Sequence, residues 1–343
     1  MRYVIYGAGG IGGVIGARLH QHGRDVVLIA RGAGYEAIRE RGLTLRTPEE
    51  TLTQRIPVAA HPAEVAFTPD DVVLLTMKTQ DTEPALRDLE AAAGPDVPVF
   101  CAQNGVENER LALRRFARVY GAIVMMPATY LEPGAVLNHS AGMSGIVDCG
   151  VYPAGEDDLA RRVCADLDAS KVSSRPFERI MRWKYAKLLN NLNNALVAAC
   201  GPDARAPEIA AAVRAEAIAC YRAAGIDWAS DDEMRQRREE SGMRFAPIEG
   251  ARRDGGSTWQ SLVRGAGSVE TDWLNGEIAM LGRIHGVPTP YNIALQVTAD
   301  RMARDRRGAG TLEPAELERL AHAIAARSGQ EAARARRVTG GRR

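Results

Sequence analysis

Three observations predict the fold class. A Gly-x-Gly-x-x-Gly pattern at Gly7, Gly9 and Gly12 follows an apolar run near the N-terminus. Apolar runs then alternate with helical stretches through the first half, and from about residue 178 the pattern turns helical alone. Together they predict an α/β chain: an N-terminal Rossmann-type parallel-sheet domain over 1–177, then an all-helical domain over 178–327. The arginine-rich residues 328–343 are expected to form a disordered tail.

The glycines each have a physical task. Gly7 permits the tight turn from strand to helix, Gly9 lets a pyrophosphate approach the backbone, and Gly12 lets the helix pack close to its strand. The positive helix N-terminus attracts the phosphate charge. The loop Gly7-Ala8-Gly9-Gly10-Ile11-Gly12 is therefore expected to hold a dinucleotide. Asp25–Ala30 reads as the second strand, and the residue after it is Arg31. An acid there would bond a ribose 2′-hydroxyl, whereas an arginine suits a 2′-phosphate, so the chain is expected to take NADP rather than NAD or FAD. A solvated arginine at a strand end is the alternative.

Further elements follow in order. A helix over Tyr35–Arg41 precedes weaker strands at Leu43–Arg46 and Thr53–Val58. Asp71–Met77 and Val97–Ala102 have the continuous apolar character of parallel strands buried on both faces. Lys78 and Asn104 stand just past them, where ligands of open α/β sheets lie. A surface lysine and a turn asparagine are the plain alternatives. Strands at Tyr120–Met126, Ala135–Asn138 and Ser144–Asp148, a helix over Asp157–Ala169 and a strand near Val172 complete the first half. Helical spacing then covers Arg179–Ala199, Pro207–Ala224, Asp231–Glu240, Val269–His285, Tyr291–Arg306 and Pro314–Ala326. The Gly- and Arg-rich stretch Phe245–Ser257 reads as a loop over the site.

Composition narrows the function classes. In 343 residues, 25% charged side chains leave a net charge of +1, so no strong field favours nucleic acid or an anionic membrane. No apolar run is long enough to span a bilayer, and the first strand starts too early for a signal peptide. Five scattered cysteines without a Cys-x-x-Cys pair suit a reducing compartment, and a cytoplasmic location is expected. The six histidines show no metal-ligand spacing, and no metal is expected.

Two helical stretches carry more polarity than a bundle core needs. Lys187, Asn191 and Asn194 stand at i, i+4 and i+7, on one face of a continuous helix. Four asparagines in five residues cost helix propensity, which either a polar pocket or bonds to other backbone groups would offset. Further on, Ser257-Thr258 precedes Glu270-Thr-Asp272 at the border of an apolar helix. Glu270 is either a buried carboxylate seeking a cation such as Lys187 or an acid favoured by a helix N-terminus.

The chain resembles the 2-dehydropantoate 2-reductase (ketopantoate reductase) family. The resemblance is carried by Gly-Ala-Gly-Gly-Ile-Gly, Arg31, Leu-Leu-Thr-Met-Lys78-Thr-Gln, Gln-Asn104-Gly-Val-Glu and Trp183…Lys187-Leu-Leu-Asn-Asn191. Ser257-Thr258, Glu270-Thr-Asp-Trp-Leu-Asn275-Gly276 and the turn from His285 to Asn292 follow in the same order. It spans roughly residues 1–300. It implies NADPH, an active site between the two domains, a homodimer through the helical half, and a place in pantothenate synthesis. By the same resemblance Lys187 is the general acid, Asn191 and Asn104 hold substrate and nicotinamide, and Lys78 lies near the cofactor. Glu270 orients the reacting groups, Asn194 is a second substrate-binding asparagine, and Ser257 or Thr258 takes the substrate carboxylate.

The pattern departs in three places. The family's tryptophan stands closer to its lysine, which leaves Lys184 as a second candidate acid. Its second asparagine falls where this chain has Ala195, beside Asn194. Its carboxylate-binding serine aligns with Thr258 on an ungapped count. The expected reaction is hydride transfer to a 2-oxo acid, with an ammonium donating the proton. A family member reducing another 2-oxo acid or ketone, and a non-catalytic NADPH sensor, are the alternatives.

Overall fold

In the computed structural model, residues 1–130, 132–251 and 255–340 are described, the side chains of 328–340 excepted. The chain forms two compact units. The first comprises Met1–Lys187 and Trp228–Arg253, and the second Leu188–Asp227 and Asp254–Arg343.

The first unit starts with β1 (Arg2–Tyr6), α1 (Gly10–Gln21), β2 (Asp25–Ile29), α2 (Gly32–Arg41), β3 (Leu43–Arg46), β4 (Thr51–Gln54) and β5 (Val58–Ala59). It continues through β6 (Asp71–Leu75), α3 (Thr82–Ala93), β7 (Val99–Cys101), α4 (Asn108–Leu113), β8 (Val119–Met125), β9 (Ala128–Thr129) and β10 (Ala135–Asn138). Then come β11 (Ser140–Gly142), β12 (Ile146–Val151), α5 (Asp158–Asp168) and α6 (Ile180–Asn191). Seven strands form the main sheet in the order β12-β8-β7-β6-β1-β2-β5, and all neighbours are parallel except β12 against β8. This is the doubly wound order expected of the N-terminal half.

Alternation along β1 explains the layers. Tyr3 and Ile5 join a buried cluster with residues of α1 and α5, while Val4 and Tyr6 join another with residues of α3 and α4. A strand buried on both faces reads as a continuous apolar run because neither face meets water. A second sheet, β4-β3-β10-β9, flanks the first.

Where the helical half was expected to begin, the structure draws the boundary differently. The units divide at Lys187/Leu188, inside α6, and the later segment 228–253 returns to the first unit. Side chains explain that return. After α7 (Asn194–Cys200) and α8 (Pro207–Ala224) comes α9 (Asp231–Glu239), capped by Ser230 and Glu233 in a reciprocal capping box. Glu233 also receives both Nη atoms of Arg182 (2.7 and 2.9 Å), and this guanidinium holds its carboxyl at about 2. Arg237 reaches into the core to grip Asp148 of β12 at 2.6 and 2.9 Å, both side chains buried. β13 (Met243–Phe245) then pairs with β11.

The second unit contains α7, α8, α10 (Ser257–Val263), α11 (Asn275–His285), α12 (Pro290–Arg304) and α13 (Pro314–Gly340). Prolines open α8 and α12, and left-handed glycines, Gly225 and Gly286, close α8 and α11.

Several expected elements are corrected. The helix foreseen over Arg179–Ala199 is two helices, interrupted at Leu192-Asn193. The Leu192 carbonyl, freed from helical bonding, accepts from Asn275 Nδ2 (3.1 Å). The strand near Val172 is only a pair of isolated bridges at Ser173 and Pro176. The helix foreseen over Val269–His285 starts as a short 3-10 turn, Glu270–Trp273, before α11. The tail expected to be disordered is helical to Gly340, as its alanines, arginines and glutamate favour. Residues 341–343 lie outside the described residues. So do 252–254 of the expected loop Phe245–Ser257, whose first residue instead ends β13.

Arg237→Met leaves Asp148 charged and buried without its cation, which costs about 3–5 kcal/mol. The expected result is a lower urea midpoint, largely restored when Asp148→Leu is added. A midpoint unmoved by Arg237→Met contradicts the account.

Candidate active site

The strand order reverses between β1 and β6, which makes their carboxyl ends the switch point of the sheet. Gly7 leaves β1 with φ +112°, and a Cβ there would lie 2.8 Å from the Met77 amide nitrogen. At Gly12 a Cβ would stand 2.3 Å from the Gly7 carbonyl oxygen and 2.4 Å from Thr76 Oγ1, so α1 can lie against the turn only with glycine there. Thr76 Oγ1 donates to that same Gly7 carbonyl at 2.8 Å. Gly9 differs, because a Cβ there would meet nothing within 4 Å. The turn is closed on its protein side and open at Gly9. Helix α1 has no side-chain cap and no acid in its first turn, so its leading N–H groups remain for an anion. These residues fit a dinucleotide pyrophosphate.

Arg31 precedes α2, is exposed, and places Nη2 3.1 Å from Asp81 Oδ1. Lys78 precedes the 3-10 turn Thr79–Asp81 at the end of β6, and Asn104 lies past the end of β7. Both are half-buried. Loop, arginine, lysine and asparagine thus all belong to the first unit, beyond the carboxyl ends of its parallel strands.

The two candidate lysines of α6 have different surroundings. Lys184 is 3% exposed and donates to the carbonyls of Cys101 (3.3 Å) and Gln103 (3.2 Å) and to Oε1 of Glu109. Three donors meet three acceptors, which leaves this ammonium no proton to aim at a ligand. Lys187, near the end of the helix, is half-buried. Burial, and secondarily the positive charge of Arg238, bring its pKa down to about 8.

The remaining candidates lie in the second unit. Asn191 is buried at the end of α6, one helical turn after Lys187. Asn194 instead opens α7, with two residues between it and the end of α6, so the continuous helix that its spacing suggests is interrupted. A Cβ on Gly256 would come within 3.1 Å of Asn194 Oδ1, which shows how closely the start of α10 approaches that asparagine. Ser257 Oγ and Thr258 Oγ1 are buried and have no hydrogen-bond partner among the described residues. Glu270 is buried at the head of its 3-10 turn, while neighbouring Asp272 is exposed and accepts from Gln296. Asn275 and Asn292 are structural: they bond each other and the carbonyls of Leu192 and Val213, and Glu216 accepts from the start of α12.

Sequence reasoning missed Glu109, Asn108 and the short α4 that carries them. Six helical residues are too few for periodicity to register.

A parallel sheet whose switch point opens onto a glycine-rich turn is the architecture of dinucleotide-dependent oxidoreductases, and that is the class of this chain. Residues 3–153 match the model of the family described as ketopantoate reductase PanE/ApbA, and residues 179–302 match the model of its C-terminal part. A 2-dehydropantoate 2-reductase of Caulobacter vibrioides is 32% identical over 299 residues, covering 84% of this chain and 94% of the relative. One of Pyrococcus horikoshii is 27% identical, covering 86% and 95%. Among solved structures, a PanE/ApbA family ketopantoate reductase of Ralstonia eutropha has TM-score 0.75 at 27% identity, covering 90% of this chain and all of that one. D-mandelate dehydrogenase with NADH and anilino(oxo)acetate shares the fold at TM-score 0.75 and 23% identity, covering 89% and 99%. The chain belongs to the ketopantoate reductase family, NADP-dependent oxidoreductases acting on CH–OH groups.

An NMR titration of the protein after reductive 13C-methylation tests the environment of Lys187 directly. Its midpoint is expected near 8, moving upward in Arg238→Gln because a charge opposing protonation is gone. A midpoint at the ordinary lysine value excludes the burial described.

Proposed function

We propose that the protein reduces a 2-oxo acid to the 2-hydroxy acid with NADPH, and that its substrate is 2-dehydropantoate, reduced to pantoate for pantothenate and CoA synthesis. The observation that carries this reading is Lys187, a half-buried lysine one helical turn before the buried Asn191 on α6, whose burial brings its pKa down to about 8. An acid of pKa near the working pH is present in its protonated form and still gives the proton up readily.

The residues divide the work. Gly7 to Gly12 and the start of α1 take the pyrophosphate, and Arg31 takes the 2′-phosphate in exchange for Asp81. Lys78 and Asn104 border the nicotinamide side. When bound, the dinucleotide supplies hydride to the carbonyl carbon. Lys187 Nζ hydrogen-bonds the carbonyl oxygen, stabilises its growing charge, and gives it a proton, leaving a neutral amine that solvent reprotonates. Asn191 and Asn194 bind the substrate, Ser257 or Thr258 receives its carboxylate, and Glu270 orients the reacting groups. The open hydroxyls of Ser257 and Thr258 support that assignment, since buried donors otherwise find partners.

A second reading, reduction of a different 2-oxo acid, is favoured by one observation: Asn194 starts a new helix instead of continuing the helix of Lys187 and Asn191. Purified protein tested against 2-dehydropantoate, phenylglyoxylate and pyruvate, following NADPH absorbance, separates the readings. NADPH binding without oxidation by any oxo acid would make the protein a sensor.

Lys187→Ala is expected to lower turnover by roughly 10²–10⁴-fold, with NADPH affinity retained. Near-normal turnover removes Lys187 from the chemistry. In the wild type, kcat/KM for reduction is expected to fall as pH rises through about 8, because the donor is then deprotonated. Arg31→Ala is expected to raise KM for NADPH and leave that for NADH unchanged. Equal effects on the two cofactors argue against a 2′-phosphate contact.

A further inference from the structure

Beside the turns that border the cofactor site lies a buried polar network for which the proposed chemistry has no use. Lys184 of α6 bonds Glu109 of α4 together with the Cys101 and Gln103 carbonyls, and the pair is buried, with Glu109 wholly enclosed. Gln103 Nε2 donates onward to the Met77 carbonyl (3.0 Å) and to Thr82 Oγ1 (2.8 Å). Thr82 Oγ1 donates to Asn108 Oδ1 (2.8 Å), whose Nδ2 donates to the Asn104 carbonyl (3.1 Å) and to Thr79 Oγ1 (3.2 Å). One residue of α6 is thereby joined to the turns after β6 and β7 and to the starts of α3 and α4. Those turns carry Lys78 and Asn104.

An ion pair at this depth is a poor device for stability, because apolar residues of similar volume commonly serve as well or better. It provides direction: an ammonium with three acceptors is fixed in position and angle, where an aliphatic chain can slide. Lys187 follows three residues later on the same helix, less than one turn away. An axial or rotational slip of α6 would move its amine by a comparable amount, and misplacements of about 1 Å can cost roughly 10²-fold in rate.

We propose that Lys184 and Glu109 are positioning residues, whose ion pair locks α6 to the turns bearing Lys78 and Asn104 and so sets the register of Lys187 against the bound dinucleotide. The inference rests on Lys187 being the proton donor. Neither member of the pair touches the reacting atoms.

The test is the double variant Lys184→Met/Glu109→Leu, which leaves no buried charge unpaired. It is expected to fold with near wild-type thermal stability, while kcat falls at least about tenfold. The alkaline limb of kcat/KM is expected to move above its wild-type position near pH 8, as Lys187 leaves its enclosed setting. The NADPH dissociation constant, read by fluorescence titration, is expected to rise several-fold. A folded double variant with wild-type kcat and an unmoved alkaline limb overturns the proposal. If the double variant does not fold, Glu109→Gln, which keeps an acceptor and removes the charge, is read in the same way. Should the wild type turn over no 2-oxo acid, the functional reading fails by itself and the titration decides. A weakened NADPH affinity in the variant then upholds the loop-setting role, and an unchanged one overturns it.

Discussion

The nucleotide end of the structure depends on one close approach. Helix α1 meets the turns after β1 and β6 at Gly12, where even a methyl group would overlap the Gly7 carbonyl and the Thr76 hydroxyl. Thr76 bonds the Gly7 carbonyl, so the two turns that meet at the switch point are tied to each other as well as to the helix. With α1 seated there, its N-terminus faces the open side of Gly9, and Lys78, Asn104 and Arg31 follow at the ends of neighbouring strands. The uncapped helix start beside Gly9 is therefore a by-product of backbone proximity, set by Gly7, Gly12 and Thr76 without any charged side chain.

Much of this was legible in the sequence because each feature is local. A glycine spacing, an apolar strand and the residue after it lie within a few positions, and no distant contact alters their meaning. Parallel strands announce themselves because burial on both faces removes polar alternation. Helix starts and ends marked by proline and glycine fell where expected, α8 most closely.

What escaped had non-local causes. No pattern within Arg179–Ala199 reveals that Asn275, more than eighty residues later, will take the Leu192 carbonyl and stabilise a break there. Asp231–Glu240 reads as one more helical stretch, yet Arg182, Ala229 and Arg237 bind it and its flank to the sheet unit through contacts spanning tens of residues. The different surroundings of Lys184 and Lys187 were likewise unreadable from spacing. They turn on Glu109, a residue of a short helix seventy-five positions before Lys184 whose carboxylate pairs with it.

The path of the chain has a practical consequence for dividing it. The polypeptide passes from one unit to the other at 187/188, 227/228 and 253/254, so no single cut yields two contiguous parts. A fragment ending at Lys187 would retain every strand of the main sheet and still lack α9, leaving the Asp148 carboxylate without its guanidinium.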